Sequence, residues 1–512
     1  MAVKVLVLLL VGLLTAANLG LNDVWQPNEA FYAETAREML ERGNYLDPTY
    51  NYEPRLNKPP LVYWLTALFY QLFGVGEWQT RLTPLLSAFG TALLLFYYGK
   101  KLRSAELGLT AALVFLTALQ VFSLARYDAP EMPLTFFLTG AFVFLHLYFR
   151  EGSNLKLLLS GVFLALALLT KGIPFLVLYL ALVFSYPVAE RILFKNRVEV
   201  SKVVKAAAAG LVASVPLLGW YAYAYHLHGE LFVEVFLSEV VRRATDPSKG
   251  FQPFFYLLVV LWAFLPFSLL FYYSLPGLVL RIRTYGELLF ALLWTLVVFG
   301  AFTVAKGKIP VYVLPAFPAM ALLTARLAGL SHSAVRFLAL LSALLVLGAC
   351  AFGAYYLDLW KDEALWAFTL AAVALALALR SEPLWALGAA TLPLLAFFSL
   401  WVLPLVEKYR PYKEVLTELR RELPSYDLAT VGYYYHNFPF YWKKKVYRLK
   451  SWKEVQDLRR EKLVVFSPEE VKGWKTVKRV RLFVGSESRF LVFLKEVKRQ
   501  KRFKNFYFLV RE

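Results

Sequence analysis

Cysteine is nearly absent from this 512-residue chain, with Cys350 the only one. A lone thiol inside an apolar run excludes an intrachain disulfide framework and a cysteine metal site. It fits any compartment and identifies none. Charge is scarce too: Asp, Glu, Lys and Arg make up 18% of residues, against about a quarter in an ordinary soluble domain. Histidine is limited to five residues, and His226, His228 and His436 are read as interfacial hydrogen-bonding groups rather than ligands. No clear internal repeat is present, and the polar residues gather in loops. Both facts count against a transporter or flippase built from inverted repeats and broken helices. What remains is apolar: 59% of the chain is hydrophobic, and runs of membrane length recur through the first four hundred residues. A helix needs roughly 20 apolar residues to cross about 30 Å of hydrocarbon, and a buried soluble core would not supply so many. The chain is a polytopic integral membrane protein. Its net charge of +20 therefore reports topology and gives no ground for a nucleic-acid partner.

Apolar runs fall near 4–20, 80–98, 106–124, 132–149, 155–170, 172–188, 205–224, 254–278, 287–304, 310–327, 334–356, 363–379 and 384–404. They predict about thirteen spans, with Lys171-Gly172 splitting the 155–188 region into two short pieces. The N-terminal run is read as a retained first helix, because further spans follow it closely. Basic residues in short loops set the orientation. Lys100, Lys101, Arg103, Arg150, Lys156, Arg191, Arg281, Arg326 and Arg380 belong to one set of connections. That set is cytoplasmic, which puts the N-terminus inside and the tail outside. The other side carries the longer polar segments 21–60, 125–131, 226–253 and 305–310, where a site is sought. Lys171 falls in this reading at an inner helix end and is taken as structural.

Residues 1–407 are thus expected to form an all-α membrane domain. Residues 408–512 lose the transmembrane pattern and are read as a small α/β domain on the outer surface. Thr430–Tyr435, Lys462–Phe466, Arg481–Val484 and Phe490–Phe493 read as strands, and Tyr412–Arg421 and Trp452–Arg460 as helices. Lys and Arg outnumber acids there about two to one. The tail carries most of the net charge, as a solvated basic face or as a platform for anionic lipid or saccharide.

The first outer loop reads Trp25-Gln-Pro-Asn28-Glu29-Ala-Phe-Tyr32-Ala-Glu34-Thr-Ala-Arg37-Glu38-Met-Leu. By itself this is a helix start, with Pro27 entering and Asn28 and Glu29 capping. Downstream, Asn57-Lys58-Pro59-Pro60-Leu-Val-Tyr63-Trp64-Leu suggests an interfacial helix with Tyr63 and Trp64 at headgroup level. A lysine there ordinarily snorkels. Together, however, the two segments resemble the aminoarabinose transferase and protein O-mannosyltransferase superfamily of GT-C membrane glycosyltransferases. Further matches follow in order: Pro130-Glu131-Met-Pro-Leu-Thr-Phe136, Leu169-Thr-Lys171-Gly172, Gly307-Lys308-Ile-Pro-Val-Tyr312-Val-Leu-Pro315, and Asn437-Phe-Pro-Phe-Tyr441-Trp. Each is weak alone; five in order, across nearly the whole chain, are specific.

The resemblance implies a GT-C fold and an inverting transfer of sugar from a polyprenyl-phosphate carrier to an envelope acceptor outside the bacterial inner membrane. Lipid A or lipopolysaccharide is the first choice of acceptor and protein the second. Membrane lipid surrounds the enzyme, and neither the sugar nor the oligomeric state is specified. As the glycosidic bond breaks, negative charge grows on the leaving phosphate, and fixed cations stabilise it. Lys58 is the first candidate, with Arg126, Arg243 and Lys308 as helpers. Glu29 and Glu131 are candidate bases for a hydroxyl acceptor, with Asn28 standing where relatives carry aspartate. Tyr32, Asn57, Tyr63, Glu239 and Tyr312 are expected to line the pocket, with the Asn57–Phe73 segment in its wall. Asn57 replaces a family glutamate, and Val240 stands where a histidine would follow Glu239. Without those side chains no divalent metal is expected, and the lipid-linked sugar is the substrate, with no further cofactor.

Overall fold

The computed structural model describes residues 2–242, 252–327, 333–458 and 460–511. The fold is predominantly helical. Among the described residues eight helices are long and apolar enough to cross a membrane, including Glu131–Glu151, Asn154–Lys171 and Pro174–Phe194. Six shorter apolar helices accompany them, from Ala2–Ala16 to Glu363–Ala378. The expected single span 254–278 is instead two helices, Phe255–Ala263 and Ser268–Leu280. Pro266 explains the break, since it lacks an N–H and bars helical backbone at the residue before it. At the break the carbonyl of Leu265 accepts the N–H of Leu119 at 2.9 Å.

The chain divides into two compact units: Met1–Ala17, Leu56–Val62 and Thr83–Phe397 form one, and Asn18–Arg55, Tyr63–Leu82 and Phe398–Glu512 the other. In the first, helices Leu82–Leu102 and Ala105–Thr117 approach backbone to backbone at Gly99 and Gly108. A Cβ on Gly108 would collide with the carbonyl oxygen of Phe96, so small residues permit the contact, as is usual where lipid offers no hydrophobic drive.

The second unit holds two sheets. A short hairpin pairs β1 (Thr49–Tyr50) with β2 (Glu53–Pro54). The tail forms a mixed sheet of β3 (Asp427–Val431), β4 (Val446–Leu449), β5 (Leu463–Ser467), β6 (Trp474–Phe483) and β7 (Phe503–Arg511). Its order is β4-β3-β5-β7-β6, with β3 parallel to β4 and β5, and β7 antiparallel to β5 and β6. Helices Phe438–Trp442 and Trp452–Asp457 make the parallel crossovers. Phe490–Phe493, expected as a strand, opens the helix Phe490–Arg499. There Phe493 and Val497 lie on one buried face while Leu491 is exposed, which is helical rather than alternating spacing.

The core of this unit explains why a loop so far away in sequence belongs to it. Helix Asn28–Arg42 presents Ala30, Ala33 and Ala36, all fully buried, to the same cluster as Phe438, Trp442, Phe466 and Phe506. Three alanines on one face let it lie close to the aromatic core, where Phe466 and Phe506 stack at 4.8 Å.

Candidate functional site

Within the first unit, two lysines meet two glutamates. Lys58 is paired with Glu239 and also donates to its own residue's neighbour, the Asn57 carbonyl, at 3.0 Å. Asn57 donates to the other Glu239 oxygen at 3.5 Å. Lys171 donates to Glu131 Oε1 at 2.8 Å and lies 5.0 Å from the centre of the Tyr312 ring. Side-chain exposures of 11–17% across these four residues leave each ion pair mostly, but not wholly, withdrawn from solvent.

Local chain geometry brings the two pairs side by side. Helix Glu131–Glu151 runs out and Asn154–Lys171 returns against it, so Lys171 shares the Glu131 end. The hairpin brings Lys171 back to the Glu131 end, where the two pair. Gly172 then turns with φ +101°, a conformation that L side chains rarely adopt. A Cβ at this position would stand 2.9 Å from Tyr221 Oη and 4.0 Å from Pro59 Cγ. The Lys58-Pro59 segment thus lies against the Lys171 turn, and the Tyr221 hydroxyl is the neighbour that a side chain at 172 would crowd. Tyr312, on the 3-10 turn Pro310–Ala316, packs on Phe302 at 5.2 Å.

Arg126 and Lys308 donate to backbone carbonyls. Arg126 donates to the carbonyls of Leu14, Thr15 and Ala17 at 2.5–3.1 Å, the C-terminal carbonyls of helix Ala2–Ala16. Lys308 donates to Phe302, Thr303 and Ala305 carbonyls at 2.7–3.3 Å, at the end of helix Leu289–Val304. Carbonyls of a last turn lack intrahelical partners and carry the negative end of the dipole, so each cation caps a helix. Partial burial also pushes the Lys308 ammonium pKa below its ordinary value. Arg243 lies outside the described residues.

Glu29, Asn28, Tyr32 and Tyr63 belong to the second unit. Glu29 is fully buried, and Arg81 grips both of its oxygens at 2.8–2.9 Å while Trp25 N–H adds a third bond at 2.8 Å. Arg81 also donates to the carbonyls of Leu19, Asn22 and Asp23. That set of bonds anchors the loop. Asn28 is exposed at the first residue of its helix, and the cap position makes no side-chain hydrogen bond. Tyr32 and Tyr63 stack at 5.3 Å. Tyr63 is fully buried.

Sequence reasoning passed over Lys171 as a site residue, and also Asp128, which is fully buried in the turn before Glu131. For Lys171 the available signal was an ionisable residue inside an apolar stretch, which by default points to function. A cavity of about 730 Å³ opens at the far end of helix Glu131–Glu151, lined by His146, Arg150, Tyr186, Glu190 and Lys202 among others. It contains none of the four paired residues.

Comparisons with known proteins agree with the motifs. The family model described as dolichyl-phosphate-mannose-protein mannosyltransferase matches residues 2–233. An uncharacterised protein of Aquifex aeolicus is 36% identical across 99% of this chain and 98% of its own length. The undecaprenyl phosphate-alpha-4-amino-4-deoxy-L-arabinose arabinosyl transferases of Shewanella sediminis and Serratia proteamaculans are 29% and 30% identical over 60% and 59% of this chain. The chain spans 56% and 55% of those two relatives. The crystal structure of ArnT from Cupriavidus metallidurans bound to undecaprenyl phosphate superposes with a TM-score of 0.73 at 20% identity. That match covers 99% of this chain and 97% of the other, and it shows the shared fold. With ordered motifs, matching relatives and a common fold in agreement, the chain belongs to the aminoarabinose transferase and protein O-mannosyltransferase superfamily of GT-C membrane glycosyltransferases.

Proposed function

We propose that this protein moves a sugar from a polyprenyl-phosphate carrier to an envelope acceptor, a phosphorylated glycolipid of the lipid A type. The observation that carries the reading is the junction of the Lys58–Glu239 and Lys171–Glu131 pairs across Pro59 and Gly172. Each lysine is held at low exposure by a carboxylate that balances its charge while no phosphate is bound. A donor phosphodiester entering between them exchanges one anionic partner for another. On cleavage it becomes a monoester and gains negative charge, so the lysines bind the leaving group more tightly in the transition state than in the ground state. Only such differential binding accelerates the chemical step. A carboxylate released from its lysine is then placed to take a proton when the acceptor is a hydroxyl; a phosphate acceptor needs no base.

Arg126, Lys308 and Glu29 are assigned to holding helices and loop in place. The donor is the substrate, and neither a divalent metal nor another cofactor enters the scheme. The orientation follows the basic loops: N-terminus in the cytoplasm, residues 408–512 in the periplasm of a bacterial inner membrane. A protein hydroxyl is the second acceptor reading, favoured by the description of the family model that matches residues 2–233.

The test is transfer in membranes from polyprenyl-phosphate sugars to lipid A. Lys58→Ala is expected to reduce turnover by about 100-fold, the loss typical of one preorganised donor, with protein levels unchanged. Wild-type turnover in the variant removes Lys58 from the site. Wild type that is inactive with every donor and acceptor overturns the proposal.

A further inference from the structure

In the second unit, Arg55 and Arg448 each stack on an aromatic ring. Arg55, just after β2, lies 4.2 Å over the ring of Phe31, and Arg448, on β4, lies 4.2 Å over Tyr434. Neither makes an ion pair among the described residues, whereas their neighbours do: Arg37 with Glu34 and Glu41, Arg42 with Asp47, and Lys445 with Glu53. Both flank one imidazole. The His436 ring packs edge-on against Phe31 at 5.0 Å and Tyr434 at 5.2 Å. Burial, then Arg448, then Arg55 push its pKa down to about 4.

Rigid packing holds this group together. Tyr50 donates to the His436 carbonyl at 2.8 Å and meets the Tyr434 hydroxyl at 2.9 Å. Two polar atoms in the cluster are buried with no hydrogen-bond partner among the described residues: Nε of Arg55 and Nδ1 of His436. Unmatched buried polar atoms are costly and rare; here one belongs to a guanidinium and the other to a neutral imidazole, whose single N–H can still donate to an anion oxygen. The nearby acids offer little repulsion. Glu34 is neutralised by Arg37. The Glu38 pKa is pushed up to about 8, mainly by burial and then by Glu34.

Stacked arginines present a planar fork that matches phosphate oxygens two at a time, and stacking pre-sets its direction. We propose that Arg55, Arg448 and His436 form an anion subsite for a phosphomonoester on a saccharide, the head of the acceptor glycolipid. The inference rests on the transfer reading above and names the chemistry by which that acceptor is recognised.

The test uses the full-length protein in nanodiscs and measures binding of four probes: lipid A, enzymatically dephosphorylated lipid A, phosphatidylglycerol and undecaprenyl phosphate. Arg55→Ala and Arg448→Ala are each expected to weaken lipid A binding by roughly 10-fold or more, as losing a charge-assisted bond should. Neither should change binding of dephosphorylated lipid A or undecaprenyl phosphate, and lysine at 448 should restore only part of the loss. Arg448 is exposed, so its variants keep the fold, and a melting curve in the same nanodiscs confirms it. The subsite is overturned if both variants bind lipid A as wild type does. Equal losses with dephosphorylated lipid A also overturn it, as does equal competition by phosphatidylglycerol, which makes the patch a general headgroup contact. Transfer that proceeds with lipid A affinity untouched refutes the subsite alone. Arginine-dependent binding without transfer from any donor refutes the transfer reading alone.

Discussion

Replacing Lys171 by methionine separates a chemical role from a structural one. The Lys171–Glu131 bond is 2.8 Å long, with side chains 11% and 15% exposed. At an effective dielectric of about 20 the gross attraction over that distance is ~6 kcal/mol, most of it offset by desolvation of the two charges. Removing one partner strands the other. For a fully buried pair that costs about 3–5 kcal/mol, and with the solvent access seen here about 2 kcal/mol is expected. If the ammonium also binds the leaving phosphate, turnover should fall about 100- to 1000-fold. The double variant Lys171→Met with Glu131→Gln tells the two apart, since it removes the stranded charge. Thermal melting should return most of the way to wild type, while sugar transfer stays as low as in Lys171→Met alone. Recovery of transfer together with stability refutes the phosphate role and leaves Lys171 structural. Glu131→Gln alone is expected to transfer well to a phosphate acceptor; a loss equal to that of Lys171→Met makes Glu131 the base and the acceptor a hydroxyl.

Glu29→Gln should act on folding rather than chemistry. With Arg81 buried and stripped of its carboxylate, stability should drop by about 3 kcal/mol, read as a lower melting temperature and yield, with transfer per folded molecule unchanged. A normally stable variant that fails to transfer would return Glu29 to the site. Asp23 accepts the Lys413 N–H at 2.8 Å, and burial, with Glu407 adding, pushes its pKa from 3.8 up to about 8. The unfolded chain releases that proton first, so wild type should lose stability relative to Asp23→Asn as pH rises from about 4 to 8, then run parallel above. Melting curves of the two that stay parallel throughout contradict the shift.

Sequence alone determined the membrane class and the family. Length, hydropathy and motif order are one-dimensional properties, and no packing could reverse them. Residues 155–188 show where that reading stops. Their two helices were legible on either side of Lys171-Gly172, but the meeting of Lys171 with Glu131 is a product of the returning hairpin. The candidate cations divide in the same way. Lys58, Arg126 and Lys308 look alike in a sequence, each a basic residue in an outer segment. Only tertiary structure shows that Arg126 and Lys308 face the carbonyls ending helices Ala2–Ala16 and Leu289–Val304, while Lys58 faces a carboxylate 181 residues away. Glu29 was legible as a helix-start acid, but its burial against Arg81, 52 residues on, was not. The alanines of helix Asn28–Arg42 carried no sign of the tail's aromatic core either. Hydrophobic period specifies which face is buried, and the neighbour that buries it is chosen by shape and charge from the whole folded chain.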